Sequence, residues 1–72
     1  MIEKHEIVIR HTYHAPKEGQ PAKYEALRAA ARHFAEVVNE LCPDSRESAL
    51  AHTNIEQAAF WANAAIARRS SP

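Results

Sequence analysis

The sequence predicts an all-α fold: an antiparallel two-helix hairpin with a short N-terminal arm or helix, assembled as a homo-oligomer. Three observations carry this. The 72 residues include fifteen alanines and a single glycine, Gly19, a composition that favours helix over sheet. Two breaks, Pro16–Pro21 and Pro43-Asp44-Ser45, leave two long uninterrupted segments, because Pro, Gly, Asp and Ser punctuate regular structure. Both segments repeat apolar residues at helical spacing.

Residues 1–72 read as one domain. Residues 1–20 form an N-terminal arm and loop. Within them Glu6-Ile7-Val8-Ile9-Arg10 is short and apolar, and periodicity over five residues cannot separate a small helix from an extended arm. The first long helix is expected over 21–42. Tyr24, Leu27, Ala31, Phe34, Val38 and Leu41 recur at alternating spacings of three and four, which is one face of a helix. Pro21 suits the first turn, where its missing N–H costs nothing, and Pro43 stops the helix because the residue before a proline avoids the α region.

The second long helix is expected over 45–69. Asp44 or Ser45 can cap its start, and Glu47 stands three residues after Asp44, as in a capping box. Its apolar positions are Leu50, Ala51, Ile55, Ala58, Ala59, Ala62, Ala65 and Ile66, with Phe60 and Trp61 outside the stripe. Arg68 and Arg69 suit a helix C-terminus through the macrodipole, and residues 70–72 read as a frayed tail. A connection this short forces the helices antiparallel, and the alanine-rich seam permits close approach.

So short a chain seldom buries enough apolar surface to stand alone, and small domains usually need disulfides, a metal or oligomerisation. The single cysteine, Cys42, excludes an intrachain disulfide and fits a reducing compartment. No apolar run reaches the roughly 18 residues of a membrane span, and no signal-peptide pattern opens the chain. Val37, Phe60, Trp61 and the Ile7/Ile9 segment exceed what two helices cover, and surplus apolar surface marks an interface.

Nine basic and nine acidic residues give zero formal charge, which argues against a coat for long DNA or RNA. The zero is nevertheless a sum. Antiparallel pairing sets Tyr24, Arg28 and Arg32 beside Arg68 and Arg69, with Tyr13, His14 and Lys17 in the preceding loop. Glu36, Glu40, Asp44 and Glu47 gather at the other end. Arginine binds phosphate through a planar fork, tyrosine offers a π-face to a base, and the free N–H groups of the first helix favour an anion. This end suits a small ligand carrying bases and phosphates. The competing reading makes these charges solvated helix surface and Tyr24 core packing.

Other chemistries have less to stand on. His11 and His14 have the spacing of two metal ligands, but nothing nearby completes a set, so no metal is expected; His33 and His52 read as polar surface or interface. Cys42 has no adjacent base, and neither a glycine-rich phosphate loop nor a Ser/His/Asp spacing is present. No enzyme activity and no cofactor are expected. The alternative function is a protein-binding adaptor using Phe60 and Trp61.

Several runs together resemble a known family. Tyr13-His14-x-Pro16-Lys17, Gln20, Tyr24, Arg28, Cys42-Pro43-x-Ser45-Arg46 and Trp61-Ala62-Asn63-Ala64-Ala65-Ile66-Ala67-Arg68 are similar to the helical-hairpin domain of phage anti-CBASS and anti-Thoeris sponges. The resemblance covers roughly residues 10 to 69. It implies sequestration, without cleavage, of cyclic oligonucleotide immune signals in the cytoplasm of an infected bacterial host. It also implies a homo-oligomer, mostly a hexamer, with the ligand held between protomers. Cyclic dinucleotides occupy one class of pocket and cyclic trinucleotides another. Tyr13 matches the aromatic that stacks on a base, and Arg28 the first-helix cation that meets phosphate. Arg68 or Arg69 matches the late cation of the trinucleotide pocket. Anti-Thoeris members often carry sequence beyond the hairpin, which favours the anti-CBASS type here.

Overall fold

The computed structural model describes residues 1–70; of the expected frayed tail over 70–72, Ser70 caps the last helix with its N–H donating to the Ile66 carbonyl at 3.4 Å, and positions 71 and 72 lie outside the described residues. Three helices follow one another: α1, Lys4–Arg10; α2, Gln20–Leu41; and α3, Arg46–Arg69. No strand occurs among the described residues.

The N-terminal segment resolves as a helix. Glu3 caps it, its carboxylate accepting from the N–H groups of His5 and Glu6 at 2.9 and 3.1 Å. Seven residues are too few for a helix stable by itself in water, so α1 depends on contacts to the rest of the chain.

Helix α2 starts one residue earlier than expected, at Gln20. Gly19 precedes it at φ 82°, a left-handed conformation that glycine adopts without steric cost. Gly19 supplies no capping side chain, and Gln20 does part of that job instead. Its Oε1 accepts the Lys17 N–H at 2.8 Å, while its own N–H donates to the Lys17 carbonyl at 3.0 Å. Pro21 occupies the first turn, and the helix ends at Leu41. Cys42, extended ahead of Pro43, follows.

The cap of α3 is Ser45, and its reciprocal partner is Ser48 rather than the expected Glu47. Ser48 N–H donates to Ser45 Oγ at 3.1 Å, and Ser45 N–H donates to Ser48 Oγ at 3.0 Å. Counting from Ser45 makes Ser48 the third helical residue, and its hydroxyl accepts as a glutamate carboxylate would.

Helices α2 and α3 pack along their lengths, and α1 approaches them at few points. The seam is thinner than the apolar stripes. Tyr24, Leu27, Ala31, Ile55, Ala59, Ala62 and Ile66 are half-buried, and Val38 is buried. Phe34, Leu41, Leu50, Ala58 and Ala65, expected in the stripes, are exposed. Two helices meet along one line, and each covers less than the arc of its neighbour's apolar face. His52 Nε2 meets Asn39 Oδ1 at 3.0 Å across the hairpin.

The chain is a plate of 44 × 33 × 14 Å with a radius of gyration of 15.4 Å. A compact domain of this length has a radius near 11 Å. The accessible surface is 6052 Å², about a third above the roughly 4,500 Å² of a folded monomer of this mass.

Candidate functional site

The open end of the hairpin is held shut by Gln20. Its side chain is buried, and its Nε2 donates to the Ile66 carbonyl at 3.2 Å. This fixes the start of α2 against the last turns of α3, where the cations stand.

An open depression of about 470 Å³ lies beside this closure. Tyr13, His14, Tyr24, Arg28 and Arg68 line it, with Arg10, Thr12 and Asn63 adding to its walls. Tyr13 is 83% exposed, so its ring is free to take a planar partner. Tyr24 is half-buried, with its ring set between the seam and the depression. Arg28 is exposed one helical turn further along α2.

His14 is tied down: its Nε2–H donates to the Ile9 carbonyl at 2.7 Å. A carbonyl only accepts, so this contact selects the tautomer protonated at Nε2. Arg68 donates to the Arg10 carbonyl at 3.5 Å while facing the same depression. Asn63 has a buried Oδ1 without a hydrogen-bond partner, and an acceptor in that state carries an uncompensated desolvation cost.

Three of the residues expected at this end stand apart. Lys17 does not line the depression; its backbone N–H donates to Gln20 Oε1. Arg69 lines an adjoining depression of about 530 Å³ with Arg10, His11, Trp61 and Arg68, and its guanidinium pairs with the Glu6 carboxylate. Arg10 Nε meets the same Glu6 oxygen at 2.7 Å. The hydrogen bond from Arg69, and then that from Arg10, pulls the Glu6 carboxyl down to about 2 from its ordinary 4.5; Arg69 is raised in turn by the same hydrogen bond. Arg32 is also outside the site, pairing with Glu36 at 3.6 Å in the exposed middle of α2.

Arg10 and Thr12 carry no sequence signal of their own. Asn63 has one, as an amide two residues after the Trp61 aromatic and within the tryptophan-led run of the resemblance. His11 and His14 do not join a metal cluster: no group of three or more potential ligands exists among the described residues. Cys42 is an exposed free thiol at the far turn, remote from these groups along the hairpin. No helix is long and apolar enough to cross a membrane among the described residues.

A second concavity lies on the flat face between α2 and α3. It measures about 480 Å³ and is floored by Ala30, Ala31, Ala51, Ala58, Ala59 and Ala62, with Leu27, Phe34, Ile55 and Asn54 around them. Phe34 is 58% exposed at its edge.

No match was found among curated proteins or among solved structures. Residues 3–67 match the family model described as Acb2/Tad1, hairpin domain. That family comprises the anti-CBASS and anti-Thoeris sponges, binding domains rather than enzymes, and it points to a sponge-type anti-defence function directed at small nucleotide signals. With nearly the whole chain inside the match, the protein belongs to the Acb2/Tad1 hairpin-domain family.

Proposed function

We propose that the protein sequesters cyclic oligonucleotide immune signals, cyclic dinucleotides first among them, and holds them uncleaved, blocking CBASS-type defence in the cytoplasm of the infected host. One observation carries the reading. A single depression brings together an exposed tyrosine, Tyr13, and two arginines from different helices, Arg28 and Arg68. Stacking on Tyr13 holds a base, and base–aromatic stacking contributes about 1–3 kcal/mol. Arg28 and Arg68 meet phosphate oxygens through charged hydrogen bonds. None of these roles needs a general acid or base. Arg68 also faces the Trp61 depression, which makes that neighbouring surface the place for a trinucleotide.

The working unit is a homo-oligomer, with a hexamer as the assembly proposed. The surface excess of the protomer and the alanine-floored groove support this. Phe34 stands beside a groove lined by small side chains, so knob and hole share one patch, as a two-fold self-interface requires. An open depression gains enclosure when a second copy covers its mouth.

Calorimetry with cyclic di-GMP, cyclic di-AMP and a cyclic trinucleotide tests the function. Tight binding with full recovery of intact ligand after denaturation is expected. Absence of binding at micromolar concentration, or recovery of linear product, refutes it. The exposure of Phe60 and Trp61, 63% and 67%, favours one second reading, a protein-binding adaptor. Substituting Tyr13 and Arg28 separates the two, because an adaptor keeps its activity without them.

A further inference from the structure

Helix α1 is attached to the hairpin by polar contacts. Ile7 and Val8 are 46% and 54% exposed and only Ile9 among its apolar residues is half-buried, so little apolar burial holds it. Two links do, Glu6 to Arg69 and the Arg10 carbonyl to the Arg68 side chain, while the Ile9 carbonyl ties the following segment back to α1 through His14. Both links reach the last turn of α3, about sixty residues away in sequence. Directly after α1 comes the 11–14 segment, which carries Tyr13 and His14 into the depression.

We propose that Glu6 and Arg69 form a positioning pair: by fastening α1 to the end of α3 they hold the Tyr13 segment in the geometry that receives ligand. Arg69 on this account serves the site through Glu6 and not by touching phosphate, which leaves Arg68 as the α3 cation of the site. The reasoning is one of order. A seven-residue helix does not persist unassisted. Once α1 is released, residues 11–14 lose their anchor, and ligand binding must then supply the cost of ordering them. The carboxylate of Glu6 also neutralises Arg69 locally, so a phosphate gains less from Arg69 than from Arg28 or Arg68. Its low proton affinity agrees with a carboxylate engaged on both sides.

The inference rests on the sponge reading for its ligand, though not for its geometry. The test uses the full chain with Glu6→Gln, Arg69→Gln, Arg69→Lys and the double glutamine variant. Amide hydrogen exchange and calorimetry with cyclic di-GMP and cyclic di-AMP are the readouts. Exchange at 7–11 is expected to quicken in Glu6→Gln and Arg69→Gln while amides 30–60 stay as in the parent. Affinity is expected to fall about three- to tenfold in each, in keeping with a single exposed ion pair and the segment it orders. The double variant should bind no worse than either single one, and Arg69→Lys should retain most of the affinity.

Unaltered exchange in α1, additive losses, or a far larger loss for Arg69→Gln than for Glu6→Gln overturns the proposal; the last outcome makes Arg69 a direct phosphate ligand. If neither dinucleotide binds the parent protein, the sponge reading is what fails, and the exchange comparison alone decides whether Glu6 and Arg69 position the segment.

Discussion

Gln20 and Ile66 join the two long helices at the end of the hairpin that bears the cations. The Gln20 Nε2 donates to the Ile66 carbonyl at 3.2 Å, and the Gln20 side chain is among the most buried of the protein. One amide therefore satisfies a loop N–H with its oxygen and a helix-end carbonyl with its nitrogen. Gln20→Leu keeps the volume and removes both bonds, leaving the Lys17 N–H without its partner. Unfolding in urea should show a loss of about 1–3 kcal/mol. Gln20→Glu keeps the acceptor but sets a buried carboxylate oxygen against the Ile66 carbonyl, so it should cost at least as much as Gln20→Leu.

The contrast between Gln20 and Phe34 explains what was legible in the sequence. The long helices were, because prolines and three-four spacing act locally. Gln20 falls inside the Pro16–Pro21 break, where a buried polar residue leaves no periodic trace. Phe34 fitted the apolar stripe of α2, but a stripe records the full apolar arc and not the narrower line that a single partner helix covers. The sequence points to Glu47 and the structure to Ser48 because the count depends on whether Asp44 or Ser45 caps the helix. Tyr13, Tyr24, Arg28 and Arg68 could be grouped from antiparallel topology alone. The Glu6–Arg69 pair could not, because it depends on where a seven-residue helix docks.

The capping box at Ser45 is the start signal of α3. Ser45→Ala leaves the Ser48 N–H unsatisfied and should cost about 1 kcal/mol, measured as a lower denaturation midpoint with an unchanged m-value. Glu47→Ala touches neither partner of the box and should change stability by only a few tenths of a kcal/mol. An equal loss in both variants would mean that the macrodipole, not the hydrogen-bond pair, dominates the start of the helix.

Tyr13 and Arg28 are exposed, so substituting them should separate binding from folding. Tyr13→Ala is expected to weaken cyclic dinucleotide binding by about 1–3 kcal/mol, the value of one base stack. Tyr13→Phe should retain most of it. Arg28→Ala should weaken binding and flatten its dependence on salt, because one phosphate contact is lost. Sedimentation velocity on both alanine variants should return the parent oligomer.

Phe34 faces the alanine-floored groove from its edge, and a second copy is its proposed partner. Phe34→Asp places a charge where an apolar contact is expected, and burying an unpaired carboxylate is costly. Sedimentation should show dissociation toward smaller species at micromolar concentration. Phe60→Asp, on a different face of α3, is the control. An unchanged oligomer in Phe34→Asp together with dissociation in Phe60→Asp would move the interface to the Phe60/Trp61 edge.

The acid behaviour of α1 follows from the proton affinity of Glu6. Its carboxyl is held at about 2, against an ordinary 4.5, by hydrogen bonds from Arg69 and Arg10. A group whose folded-state value is depressed stabilises the fold above its unfolded value and loses that contribution as pH falls through the folded one. The attachment of α1 should therefore be complete above about 4.5 and weaken progressively toward 2. NMR shifts of the Ile7 and His11 amides, followed downward in pH, should record this transition, and Glu6→Gln should abolish its Arg69-linked part. Glu3 also bears on α1, since its carboxylate caps the helix at 2.9 and 3.1 Å, so Glu3→Gln supplies the comparison. If the transition persists in Glu6→Gln and disappears in Glu3→Gln, the acid sensitivity belongs to the cap, and the clasp between Glu6 and Arg69 is not what holds α1 in place.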